Sequence, residues 1–147
     1  RQRVSASPVR SASSTESSGR DVTTFVDMTE QRVAAYTGGR RGGGTRIFVR
    51  KGDGFAEVKM PALPDLPEEP SKAVAKKHPG GFPLAGTVNA LTFVRWTKSG
   101  VVLNYGNYWK SDRGFAHSWD IEITLAIDAR HQAKIIKSVK KETVHEI

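Results

Sequence analysis

The chain has 147 residues, room for one compact core and not for two. It contains no cysteine, which excludes disulfides, thiolate nucleophiles and Cys-ligated zinc or iron–sulfur centres. Its 23 Lys/Arg against 15 Asp/Glu give a formal charge of +8 spread along the chain, which predicts attraction to a polyanion: nucleic acid, an acidic protein face or an anionic membrane surface.

Residues 1–20, RQRVSASPVRSASSTESSGR, contain Glu16 as their only acid. A Ser-rich, Arg-rich, acid-poor segment has the composition of the end of an organellar transit peptide. The steps Val4–Ala6 and Val9–Ala12 resemble the surroundings of a plastid cleavage site, and the absence of an initial Met reads as processing. The plain alternative is a disordered basic tail, because such a segment buries too little apolar surface to order itself.

Residues 21–28, DVTTFVDM, alternate loosely and predict a short strand or extended arm. Thr29 is placed to cap a short helix, TEQRVAAY, closed by Gly38 and Gly39. Residues 38–44, GGRRGGG, read as a flexible linker. RIFVR (46–50) and FAEVKM (55–60) flank Lys51-Gly52-Asp53-Gly54 and predict a β-hairpin. PALPDLPEEP (61–70) holds four prolines and predicts a stiff, extended connector. SKAVAKK follows as one or two helical turns, and HPGGFP (78–83) as a turn-rich joint.

The strongest periodicity lies beyond residue 86. TVNALTFVRW (87–96) places Val88, Ala90, Thr92, Val94 and Trp96 on one face. VVLNYGNYW (101–109) places Val101, Leu103 and Tyr105 on one face. FAHSWDIEITLAID (115–128) turns Ile121, Ile123, Leu125 and Ile127 inward. This is an antiparallel meander. Asp128 as N-cap and the spacing of Ala129, Ala133, Ile136, Val139 and Thr143 then predict a C-terminal helix, with a strand at AKIIKSV as the competing reading. The expected fold is α+β: a small antiparallel sheet of four to five strands with a C-terminal helix, plus an extended N-terminal arm. Its parts are a basic Ser/Gly-rich arm with a short helix (1–44), a hairpin (45–60), a Pro-rich connector (61–83), and the meander with its helix (84–147). No apolar run reaches the ~18–20 residues that span a bilayer.

Motifs for catalysis are missing. His78, His117, His131 and His145 have no metal-ligand spacing. Asp120 and Glu122 share a strand face, where outward acids are ordinary solubilising charge unless a cleft splits their pKa values. The Gly-rich stretch 38–44 lacks the Lys-Ser/Thr of a phosphate loop, but it suits a flexible basic segment. Its contacts would be Arg40, Arg41, Arg46, Arg50 and Lys51. A second set, Arg95, Lys98, Tyr108, Lys110 and Arg113, interleaves aromatics with cations, as sheets that stack single-stranded nucleic acid do. Filling the core is the commoner use of such rings.

These features predict no cofactor, no metal and no catalytic residues. They point to an accessory or structural subunit of a large plastid assembly, with the mitochondrion as alternative compartment. In its narrower form it is a peripheral subunit of a thylakoid electron-transfer complex, whose positive field attracts an acidic carrier protein. The alternative partner is RNA, in an RNA-binding or ribosome-associated protein. An enzyme would need a cleft bringing a histidine to Asp120 or Glu122.

Overall fold

The computed structural model describes residues 9–15, 21–39 and 42–147. Among them the chain is almost entirely strand: β1 (Val9–Thr15), β2 (Asp21–Asp27), β3 (Arg32–Gly39), β4 (Gly42–Lys51), β5 (Gly54–Glu57), β6 (Leu84–Trp96), β7 (Gly100–Lys110), β8 (Phe115–Ile127) and β9 (Ala133–Glu146), with one short helix, α1 (Lys72–Lys77). They form a single sheet in the order β1-β2-β3-β4-β6-β7-β8-β9, with β5 paired to β4. The named strands pair antiparallel except where Gly43 of β4 meets Ala90 of β6 in parallel, a junction strengthened by the Thr45 hydroxyl donating to the Leu91 carbonyl at 2.7 Å.

The sheet curls until its inner face meets itself. Phe25 of β2 stacks on Phe93 of β6 at 4.6 Å. Ala34 and Ile47 join Trp96, Val101, Leu103, Ile121, Ile123 and Leu125 in one buried cluster. The register of β7 on β8 sets Val101 opposite Leu125, Leu103 opposite Ile123 and Tyr105 opposite Ile121, so alternate residues of both strands share the inner face. Truncating one of these aliphatics costs about 2–5 kcal/mol, because transfer and cavity terms add. One end of the curl is tied by the chain beyond β5. The Val58 N–H donates to the Ile47 carbonyl, the Lys59 N–H to the His131 carbonyl, and the Ala133 N–H returns to the Lys59 carbonyl. That segment therefore links β4 to the start of β9.

This architecture overturns the α+β expectation at three places. The C-terminal helix is strand β9, paired with β8 from Ile127↔Ala133 to Phe115↔Glu146. Asp128 caps no helix: its Oδ1 accepts from the N–H groups of Arg130 (2.8 Å) and Gln132 (3.0 Å), and His131 enters the left-handed region at φ 60°. Together these make a tight turn that reverses the chain. Second, the helix expected over TEQRVAAY is a turn followed by β3. Asp27 accepts from the Thr29 N–H at 3.0 Å, Glu30 sits at φ 59°, and Arg32 onward pairs with β4 and, from Val33, also with β2. Third, the described residues before 44 form no separate arm, since β1, β2 and β3 continue the sheet and make it larger than four to five strands. Gly43 sits in that sheet, where a Cβ would lie 2.5 Å from the Thr37 carbonyl oxygen; glycine lets β3 and β4 approach.

A register shift between Phe93 and Arg95 inserts an extra residue in β6. Val94 is thereby left exposed, while Trp96 becomes fully buried. The simple alternation that put both on one face fails at this bulge.

Candidate functional site

The inner face changes character along its length. At the β8–β9 turn end it is aliphatic. Toward the β7–β8 turn, β7 presents Tyr105, Asn107 and Trp109, and β8 presents Trp119 and His117 opposite Asn107 and Trp109. The Pro-rich connector crosses this end. The Asn107 side-chain amide donates to the Pro67 carbonyl at 3.2 Å, the Trp119 indole N–H to the Glu69 carbonyl at 2.8 Å, and the Ser71 N–H to Glu142 Oε2 at 2.8 Å.

The connector itself has a threefold rhythm. Pro61, Pro64, Pro67 and Pro70 recur every third residue. Over 61–68 the exposed positions are Ala62, Asp65 and Glu68, while Leu63 and Leu66 pack against the core. Three residues per turn is the period of polyproline II, which proline favours and which needs no internal hydrogen bonds. The strap thus has an apolar face turned in and an acidic face turned out.

Between strap and sheet lies a groove of 810 Å³ whose polar and aromatic lining is Asp65, Glu68, Asn89, Tyr105, Asn107 and Trp109. Asn89 donates to the Tyr105 hydroxyl at 2.9 Å. The Asn107 amide is already used at both ends, since its Oδ1 also accepts the Trp119 N–H at 3.1 Å.

Behind the groove, His117 has no exposed surface. Its Nε2 lies 2.7 Å from Glu142 Oε2, and its Nδ1 has no partner. Phe82, Trp109 and Trp119 surround the ring, with centroids 5.4, 5.5 and 5.9 Å away. Burial pushes the Glu142 carboxyl up, but hydrogen bonds from Ser71 and the contact with His117 outweigh it and hold the group below the usual range. A proton-transferring pair must reach a substrate; this imidazole is sealed by three rings, so the geometry suits a clamp joining β8, β9 and the strap. The comparison of the chain with family models, with curated proteins and with solved structures found no match.

The residues singled out from sequence fall in separate places. Arg40 and Arg41 lie outside the described residues. Arg46 forms a forked ion pair with exposed Glu57, its Nε donating at 2.8 Å. Arg50 rests over Phe55 at 4.6 Å and donates to the Glu30 carbonyl. Lys51 is exposed at the β4–β5 turn and Lys98 at the β6–β7 turn. Arg95 faces Glu122 at 3.6 Å, both about half exposed. Tyr108 points outward with Lys110 5.9 Å over its ring, as it must if its strand neighbour Trp109 points inward. Arg113 lies beside Gly80 and His78 at the far end. The described members of these sets are spread over β4, β6, β7 and the turns that follow β6 and β7.

Asp120 and Glu122 are on the outer face, away from His117. Asp120 accepts from Asn104 at 2.9 Å and Ser118 at 3.1 Å. The histidine's carboxylate partner is Glu142, which sequence reasoning assigned to a helix. Among the described residues no group of three or more His, Asp or Glu is placed to hold a metal ion, and no helix is long and apolar enough to cross a membrane.

Proposed function

We propose that the chain is a non-catalytic accessory subunit of a larger plastid protein assembly and that it holds an acidic partner along the outer edge of β9. The observation that carries this reading is the edge itself. Among the described residues β9 has no strand partner beyond its first residue on the side away from β8. It exposes Lys134, Lys137 and Lys141, which make no ion pair there. Ile136 and Val139 are 55% and 50% exposed between them. An open edge offers backbone N–H and C=O groups to an added strand, and lysines on it repel a second copy of the same edge. An acidic extended segment satisfies both conditions.

The Ser/Arg-rich composition of residues 1–20 supports the plastid setting. A peripheral position on a thylakoid electron-transfer complex, with an acidic carrier as partner, is the narrower form of the proposal.

The test joins native sizing with a photo-crosslinker at Val139. The expected result is migration in a large complex and a crosslink to an acidic protein segment, both lost in Lys134→Glu/Lys137→Glu/Lys141→Glu. Migration as a free monomer overturns the assembly reading. Crosslinks to RNA, with binding that falls steeply with salt, replace the acidic protein with nucleic acid.

A further inference from the structure

We infer that the groove beneath the proline strap is a binding site for arginine side chains carried on an extended protein segment. This goes beyond the reading of β9 and does not depend on it.

Among the described residues no Lys or Arg lines this groove, and its two charged residues are Asp65 and Glu68. Both carboxylates are exposed and make no hydrogen bond or ion pair among the described residues. They stand on one face of the strap, three residues apart, about 9 Å along a polyproline II rod. Tyr105 and Trp109, which line the same groove, occupy one face of β7, about 13 Å apart along the strand. The exposed carboxylates of the strap and the rings of the sheet therefore line one groove.

The ligand class follows by elimination. An anion is repelled by the two acids. A neutral ligand that displaced water from them would leave the carboxylates without compensation. A cation is attracted by both walls: the π faces take it through their quadrupole, and the acids bond it directly. Guanidinium fits better than ammonium, because its plane stacks on a ring while its fork of N–H donors meets a carboxylate. The same sheet face already uses this chemistry, with the Lys140 ammonium 5.4 Å over the Trp119 ring. Two carboxylates and two rings in one groove favour a segment bearing more than one arginine over a single small cation.

The experiment uses the full chain and an acetylated, amidated peptide of alternating Arg and Ala. Affinity is read by calorimetry and location by NMR signals of the Trp109 indole and the Asn89 amide. Binding is expected with shifts at those two signals. Asp65→Asn/Glu68→Gln should weaken it about five- to tenfold, because two rim charges are removed. Both positions are exposed, so the double variant keeps the fold, which circular dichroism checks. Lys134→Glu/Lys137→Glu/Lys141→Glu should not weaken it, which separates this site from the β9 edge. No binding, shifts confined to other residues, an unchanged affinity in the double variant, or equal binding of a Glu/Ala peptide would each overturn the assignment.

Discussion

Removing either partner of the Asp27–Arg32 pair should cost this fold far more than any exposed ion pair it contains. Asp27 is 1% exposed. Its carboxylate accepts the Arg32 Nε–H at 2.6 Å and the Thr29 N–H and hydroxyl at 3.0 Å each. Arg32 in turn donates to the carbonyls of Thr97 at 2.7 Å and Gly100 at 2.9 Å, and its guanidinium covers the Trp96 ring at 4.8 Å. The pair thus pins the β2–β3 turn to the β6–β7 turn. Asp27→Ala leaves a mostly buried guanidinium without its counter-charge. Arg32→Ala leaves a buried carboxylate and uncovers Trp96. Breaking a buried pair from one side costs about 3–5 kcal/mol. For a chain of this length that is a melting temperature lower by roughly 6–20 °C. The double variant Asp27→Ala/Arg32→Ala should lose less than the two singles together, by about 1–3 kcal/mol, since neither charge is then stranded. Urea titration of the four proteins closes the cycle. Strictly additive losses, or a single variant that loses under about 1 kcal/mol, would refute the idea that the two charges act as one unit.

Acid should act through the same residue and through Glu142. Burial raises the Asp27 carboxyl, but the Thr29 N–H and the Arg32 guanidinium outweigh it and hold it below its ordinary value. Glu142 is lowered as well. A depressed folded pKa gives stability that is complete above the unfolded carboxylate pKa and is lost as pH falls through the folded one. Denaturation midpoints should therefore be flat above about pH 5 and fall below about pH 4, and Asp27→Asn should flatten that fall; a variant with an undiminished acid limb would count against the assignment. At Gly100 an added Cβ would sit 1.8 Å from the Leu125 carbonyl oxygen, so Gly100→Ala must push β7 off β8 and should cost about 1–3 kcal/mol, whereas Gly44→Ala, with nothing within 4 Å, should fall well short of that in the same melt.

Much of the sheet was legible because period-two patterning and turn residues agreed. Ile121, Ile123 and Leu125 do turn inward, and Lys51 pairs with Gly54 across a hairpin turn. The last strand misled because its apolar residues satisfy both periods: Ile136, Val139 and Thr143 suit a helix, while Ile135, Ile136, Val139 and Val144 are the branched residues that strands favour. Pairing with β8 along its whole length decided between them. The cost was the site. His117 meets Glu142 because the Asp128 turn sets His117 opposite Val144 and Trp119 opposite Glu142, making the acid a diagonal neighbour of the imidazole. Reading that turn correctly would have exposed the pair. The groove had no such signal. Asp65 and Glu68 carry the right chemistry, but only the fold brings them to Tyr105 and Trp109.

The three-residue cadence of the strap imposes a phase rule on its length. Leu63 and Leu66 point one way and Asp65 and Glu68 another only while the count from the Lys59 anchor is kept. Deleting one residue there would rotate everything downstream by a third of a turn, swinging carboxylates toward the aliphatic interior and prolines toward water. Shortening by a whole turn preserves the facing, at the expense of reach. Natural variation in this stretch should accordingly come in multiples of three.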